Sequence, residues 1–454
     1  MIKSGKRRIL LAALLSACIG LSGCGGAVSE STAVSSESID ADAKEMLQDA
    51  KEEVLATSPE KVNKVTELLT TSEDKKKEKD DLAEARRQQE AALQEQVKNK
   101  LESMTLEDKV AQMFVVTPDG LTDMTNVLAA GPVAQRRLNQ IPVGGICVTE
   151  QNLAGADKLK EMLNNLQIFH NERIGVPMFT FVAEEGGAYA KIAGTSGFPE
   201  IGALPVMSEI GASGDAAQAK AVGQQIGTYL SELGINFDLA PCADVLVDPS
   251  NTSMAQRSFG SDPAVVSEMA ISEMQGLEEQ HVQAVFTHFP GMGSAAENPE
   301  TGTVLCQRTR EELMENEVVP YRNAIPNGLY CIMVSNVSYP QVTGDEMPAS
   351  LSSGIITDML RTDLGYDGIV MTDALNMKAV TDHYTSAEAV VMAVKAGADM
   401  VQRPTDLSEA YQTLLKAVRN GEIEESRIDE SVKRILRAKY AMQNAGISAP
   451  VMSN

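Results

Sequence analysis

The chain has no tryptophan, and aromatic residues make up only 4% of its 454 positions. A broad stacking platform for a polysaccharide or for single-stranded nucleic acid is therefore not expected, although a small pocket remains compatible with this composition. Positive charge is also scarce, with 39 Lys and Arg against 63 Asp and Glu, for a formal net charge of -24. Such a field repels polyanions and excludes nucleic acid as a partner. There are four histidines, His170, His281, His288 and His383, and no CxxC pair, so a structural zinc site is not expected. No GxGxxG follows the first strand-like run, and neither a phosphate loop nor a metal-ligand cluster is visible, so no cofactor and no metal are expected. Hydrophobic residues at 43% and charged residues at 22% are ordinary globular values. They exclude a wholly disordered chain and a multi-span membrane protein.

The N-terminus carries targeting information. Lys3, Lys6, Arg7 and Arg8 precede the apolar run Ile9 to Leu21, the layout of a secretory signal and shorter than the ~20 residues of a membrane helix. The run ends in Leu21-Ser22-Gly23-Cys24, which resembles the bacterial lipobox. That resemblance implies cleavage after residue 23 and lipid on Cys24, anchoring an exported chain to the outer face of the cell membrane. Cys18 lies within the signal. The remaining Cys147, Cys242, Cys306 and Cys331 lie mostly in or beside strand-like apolar runs and read as buried thiols rather than disulfides.

Residues 24–41 read as a flexible tether, and residues 42–103 as a charged helical stalk. Within the stalk, Met46, Ala50 and Val54 fall at helical spacing, and Ser58-Pro59-Glu60 supplies an N-cap and an N1 proline for a second helix. Lys75 to Leu101 is dense in charge without Gly or Pro and reads as a polar helical spacer. Its Leu82, Leu93, Val97 and Leu101 make no sustained heptad, so self-association or a partner through the stalk is left open.

From residue 104 to 454 the texture changes. Apolar runs of strand length alternate with helical patterns, at Met113 to Val116, Gly145 to Val148, Met178 to Val182, Phe237 to Ala240, Val282 to Phe286, Cys331 to Val334, Gly368 to Met371 and Asp399 to Gln402. Helical patterns between them include Asp215 to Leu233, Pro263 to Glu279, Arg310 to Ala324, Ser352 to Leu364 and Ser386 to Ala396. Eight strand-helix units predict an α/β fold of the TIM-type (β/α)8 barrel, preceded by a helical, partly disordered stalk. An open doubly wound sheet is the alternative. In a barrel, chemistry sits just past the C-terminal strand ends. Asp373 stands there, after the fully apolar Gly368 to Met371 run, as a candidate nucleophile or a helix N-cap.

Several motifs occur in order: Thr105 to Met113, Glu184-Glu185-Gly186-Gly187, Asp238-Leu239-Ala240-Pro241, Arg257-Ser258-Phe259-Gly260, His288-Phe289-Pro290-Gly291, Pro348 to Ser352, Thr372 to Met377 and Ser431 to Leu436. The series resembles glycoside hydrolase family 3, in its single-barrel β-N-acetylhexosaminidase-like branch, from about Met104 to Met442. The resemblance implies retaining hydrolysis of a terminal N-acetylhexosamine or related glycoside. It implies Asp373 as nucleophile and Arg257, His288, Lys191 and Glu185 as substrate-binding residues, with no metal. The Glu184-Glu185 pair before two glycines reads as turn-shaping.

The same resemblance exposes departures. The family's acid/base histidine lies on a loop whose counterpart here is Phe289-Pro290-Gly291-Met292-Gly293-Ser294-Ala295-Ala296-Glu297-Asn298-Pro299-Glu300. Glu300 stands at the histidine position and Asn298 at that of its orienting aspartate. Ala183, Thr287 and Asn336 replace a family Asp, Lys and His. Three readings follow: a retaining glycosidase with Glu300, or less favourably Glu297, as acid/base; a lapsed enzyme, a tethered barrel that binds cell-wall glycan or a protein partner; and a transport-associated binding lipoprotein, disfavoured because no hinge separates two lobes.

Overall fold

The computed structural model describes residues 59–295 and 297–445. The lipobox, Cys24, the tether and the Met46 to Val54 helix lie outside the described residues. The chain divides into two units, residues 1–86 and 87–454.

Helix α1 runs unbroken from Pro59 to Ser103, 45 residues, opening at the proline the sequence marked. From residue 87 onward the helix belongs to the second unit. Its last turns are docked, unlike the free spacer expected from composition. Leu93 and Val97, four residues apart and so on one face, are buried in the core, while Glu90 pairs with Arg437 at 3.0 Å. The two apolar residues that were too few for a coiled coil suffice for one contact on the barrel. Among the described residues, no helix is long and apolar enough to cross a membrane.

The second unit is a (β/α)8 barrel. Its strands are β1 (Phe114–Val116), β2 (Gly145–Cys147), β3 (Phe179–Val182), β4 (Phe237–Asp238), β5 (Gln283–Phe289), β6 (Cys331–Val334), β7 (Ile369–Thr372) and β8 (Val401–Gln402). All pair in parallel in the order β7-β6-β5-β4-β3-β2-β1-β8. The remaining seam, between β7 and β8, is held by a parallel bridge between Met371 and Met400 and by Thr372 N–H donating to Met400 O at 3.0 Å. Each expected strand forms, with ends displaced by a few residues. β5 shows the largest extension: its register with β6 shifts at the polar Thr287 and His288, and pairing resumes where Phe289 meets Val334.

Helices α2 (Ala216–Leu233) and α3 (Pro263–Glu279) pack side by side outside β4 and β5. Their approach is set by small residues: a Cβ on Gly223 would lie 2.2 Å from Glu273 O, and one on Gly276 would lie 2.2 Å from Lys220 O. The Ser352 to Leu364 helical pattern appears as a π-helix, Gly354–Asp363. Within the barrel, Phe179, Phe181 and Phe237 stack with ring centroids 4.8 to 6.0 Å apart. Burying each such ring contributes roughly 1.5–3 kcal/mol. At the opposite end from the C-terminal mouth, Asp399 accepts from Val370 N–H, Arg361 and Ser431 and pairs with Arg434, closing the floor beneath β7 and β8. All four described cysteines are buried free thiols, as their apolar settings predicted.

Candidate active site

The C-terminal strand ends open into a cavity of about 810 Å³. Asp373, Glu185, Arg257, His288, Lys191 and Glu300 all line it. Residues separated by up to 188 positions in sequence therefore converge on one mouth, because they end or follow strands β3, β4, β5 and β7.

Asp373 is the first residue past β7 and is 6% exposed. Its own N–H still donates to Val334 O on β6 at 2.8 Å, so the backbone beneath the carboxylate belongs to the sheet. Its Oδ1 accepts from Ala374 N–H at 2.7 Å. The turn that follows is pinned from β6: Asn336 Nδ2 donates to Ala374 O at 2.9 Å, and Ser350 Oγ donates to Asn336 Oδ1 at 2.6 Å. Asn336 is buried and holds the Asp373 loop from behind. Burial raises the Asp373 carboxyl above its ordinary value, opposed by His288, the Ala374 N–H, Arg257 and Arg403.

A chain of charge lines the side of the cavity. Arg257 grips Glu185 in a fork, with Nε to Oε2 at 2.5 Å and Nη2 to Oε1 at 2.6 Å. Burial disfavours the guanidinium charge, but Glu185 outweighs it and raises the group. Arg257 Nη2 also lies 3.3 Å from His288 Nε2, and its guanidinium sits 5.1 Å from the Tyr189 ring centroid. His288 Nδ1 donates to Asp244 Oδ2 at 2.7 Å, which leaves Nε2 as the acceptor facing Arg257. Asp244 was not singled out from sequence. It is fully buried, and its Oδ1 accepts from Met292 N–H at 2.6 Å. Burial works against its charge, but His288, the Met292 N–H and Arg257 together hold it below the usual carboxylate range. Cys242 Sγ lies 3.4 Å from the same Oδ2, so Cys242, Asp244 and His288 form a compact trio with metal-ligating atoms. Asp244 already accepts from ring, thiol and backbone there, and burial pushes the Cys242 thiol up. The trio therefore orients His288, and its donor set fits hydrogen bonding better than a cation, which needs a deprotonated sulfur.

Glu184 and Glu185 do different work although adjacent. Glu184 is fully buried and accepts from Lys191, Ile192 and Ala193 N–H at 2.6 to 2.9 Å and from Tyr229 OH at 2.7 Å. It organises the loop after β3, consistent with a turn-shaping role. Lys191, carried on that loop, pairs with Glu150 at 2.5 Å at the cavity edge.

The loop after β5 is anchored at both ends. At its start, Asp248 N–H donates to Gly293 O at 2.9 Å, Tyr339 OH to Gly291 O at 2.9 Å, Asn251 Nδ2 to Met292 O at 2.9 Å, and Ser294 Oγ to the buried Glu317. Further on, Pro299 O accepts from Ala379 N–H at 3.0 Å, and Thr303 Oγ1 lies 2.5 Å from His383 Nε2. Glu297 and Glu300 between these anchors are exposed. Asn298 Oδ1 accepts from Glu300 N–H at 2.9 Å, so Asn298 shapes a turn rather than orienting a catalytic ring. The Glu300 carboxylate makes no hydrogen bond or ion pair among the described residues and points its chemistry at the cavity rim.

An eight-stranded parallel barrel with carboxylates, an arginine and a histidine at its C-terminal mouth has the layout in which barrel enzymes place their chemistry. Residues 105–438 match the model of the glycosyl hydrolase family 3 N-terminal domain, and the chain belongs to glycoside hydrolase family 3. It is similar to the β-hexosaminidase LpqI of Mycobacterium tuberculosis, 32% identical over 347 residues that cover 73% of this chain and 82% of that protein. Among solved structures it is similar to a family 3 β-N-acetylglucosaminidase from Paenibacillus sp. str. FPU-7, with a TM-score of 0.68 and 33% identity over 75% of this chain and 64% of that one. It is also similar to a β-N-acetylhexosaminidase from Beutenbergia cavernae, with a TM-score of 0.67 and 27% identity over 74% of this chain and 99% of that one. The chain is thus a β-hexosaminidase-like member of its family.

Proposed function

We propose that the chain is a retaining glycosidase that removes a terminal N-acetylhexosamine or related sugar, with Asp373 as nucleophile and Glu300 as acid/base. The observation that carries this reading is Asp373, a buried carboxylate held at the C-terminal end of β7 on the wall of the cavity. Its backbone is in the sheet and its loop is braced by Asn336, so the attacking oxygen is preorganised. In the first step a carboxylate oxygen of Asp373 forms a bond to the anomeric carbon while the bond to the leaving oxygen breaks and Glu300 gives that oxygen a proton. In the second, Glu300 takes a proton from water, whose oxygen displaces Asp373 and releases the sugar. Arg257 presents donors along the wall, and His288 presents Nε2 as an acceptor. The Glu185 fork and Asp244 hold them there, so that little ordering remains when sugar binds.

Glu300 suits the acid/base role because its carboxylate is uncommitted and the anchors at Pro299 and Thr303 keep it over the mouth. A retaining pair works at about 5–5.5 Å, so Glu300 swings inward around those anchors when substrate fills the cavity. We further propose that lipid on Cys24 holds the enzyme at the outer face of the bacterial membrane. Replacement Cys24→Ser then moves the protein from the membrane fraction to the medium.

Hydrolysis of an aryl N-acetyl-β-glucosaminide by the parent and Glu300→Gln tests the acid/base assignment. The variant is expected to lose about 10²–10⁴-fold in rate, with the smallest loss for the best leaving group. An unchanged rate removes Glu300 from the mechanism. Glycan binding without turnover of any aryl glycoside would make the barrel a binding protein.

A further inference from the structure

The cavity contains a cation that no carboxylate pairs with directly among the described residues, although Asp373 and Glu150 feel its charge. Glu185 is paired with Arg257, and Glu150 with Lys191. Arg403, the residue after β8, lines the same cavity, half-buried, and its guanidinium makes no hydrogen bond or ion pair among the described residues. Its backbone has a φ of 50°, in the left-handed region that a side chain such as arginine rarely adopts and that clusters at functional positions. The conformation has a consequence for direction. A continuing strand would send residues 402 and 403 to opposite faces, whereas after this turn both line the cavity.

Gln402 supplies the second observation. It is 2% exposed, and its Nε2 is buried with no hydrogen-bond partner among the described residues. An unmet buried N–H is unfavourable, and because Gln402 lines the cavity a turn of its side chain would bring the amide to an acceptor bound beside Arg403. Two donors on consecutive residues of the cavity lining, one charged, thus have no hydrogen-bond acceptor among the described residues. We propose that Arg403 and the Gln402 amide form an anion-recognising corner that makes the pocket select glycosides bearing a carboxylate over their neutral counterparts. This deepens the glycosidase reading and rests on it. A single guanidinium fork with one amide N–H matches the planar, singly charged carboxylate. The carboxylate belongs either to the sugar itself, as a uronate, or to the leaving group.

The test is calorimetric binding to the full chain carrying Asp373→Asn, which blocks turnover. Three probes are compared: 4-nitrophenyl N-acetyl-β-glucosaminide, 4-nitrophenyl β-glucuronide and 4-carboxyphenyl N-acetyl-β-glucosaminide. One of the two carboxylates is expected to bind at least about tenfold tighter than the neutral probe, as charged hydrogen bonds in a desolvated site allow. Which one binds tighter identifies the source of the charge. Adding Arg403→Gln is expected to lower that ratio about tenfold, while Arg403→Lys retains part of it. Raising the salt concentration should shrink the preference in the parent. Equal affinity for neutral and charged probes, or a preference that survives Arg403→Gln, overturns the proposal while leaving the glycosidase reading intact. Failure of all three probes to bind overturns both.

Discussion

At the scale of single residues, the site divides carboxylates by environment. Glu184 is surrounded by N–H and O–H donors, Asp244 by a ring, a thiol and a backbone N–H, and Asp373 by one N–H and the cavity. The first two are committed to holding structure, and the third, the proposed nucleophile, has one oxygen free of hydrogen bonds among the described residues. Glu184→Ala strips four hydrogen bonds and leaves buried donors unmet, so it should lower the unfolding free energy by about 3 kcal/mol or more; denaturant titration measures it, and a loss below about 1 kcal/mol would contradict the loop-organising role. Asp373 has the opposite balance. Because burial raises its pKa, folding favours the protonated form, and the group withdraws stability as pH rises from the unfolded value, ~3.9, through the folded one. Asp373→Asn should therefore raise the melting temperature at neutral pH while abolishing turnover. The nucleophile must be ionised, so kcat/KM should fall in acid at a pH above the usual aspartate range. Arg403→Gln, removing a charge that favours the anion, should move that limb to higher pH; a limb that stays in place would contradict the electrostatic reach of Arg403.

At the scale of elements, the sequence was most legible where one physical rule dominated. The strands are short, fully buried apolar runs, and strand β6 appears at the expected residues, Cys331 to Val334. The ends moved where polar residues interrupt an apolar run without ending the strand, as at Thr287 and His288, where the register shifts before Phe289 pairs again. Motif residues at strand ends were legible for the same reason, since a barrel sends them to one mouth. Asp244 was not, because its partners His288 and Met292 lie 44 and 48 positions away and only the closed barrel brings them together. Arg403 was within reach: it is the polar residue immediately following the eighth apolar run, the position that marks barrel chemistry, but no motif drew attention to it. The docking of α1 needed two apolar residues whose partner surface is not local.

The α2 and α3 pair carries a prediction of its own. Close approach at Gly223 and Gly276 places Glu273 in a fully buried position, with neither carboxylate oxygen hydrogen-bonded, and burial pushes its pKa up to about 8. A raised carboxylate favours the folded state only when protonated, so stability should decline as pH rises from about 4.5 to about 8. Glu273→Gln should flatten that decline between pH 5 and pH 8 in melting-temperature profiles. Parallel profiles for parent and variant would show that Glu273 does not titrate in this range.

At the scale of the whole molecule, the features agree on one placement of function. A strongly acidic chain with a closed barrel presents a pocket whose carboxylates are partly neutralised by its own Arg257 and Lys191. The floor is tied by the Asp399 cluster, at the end of the barrel opposite the mouth. The central claim is that this mouth forms a covalent bond to sugar through Asp373. The most direct measurement is mass spectrometry of proteolysed enzyme quenched during turnover of an activated aryl N-acetyl-β-glucosaminide. The account predicts one added sugar on the peptide containing Asp373, absent in Asp373→Asn. A sugar adduct on another residue, or turnover that persists in Asp373→Asn, would contradict it.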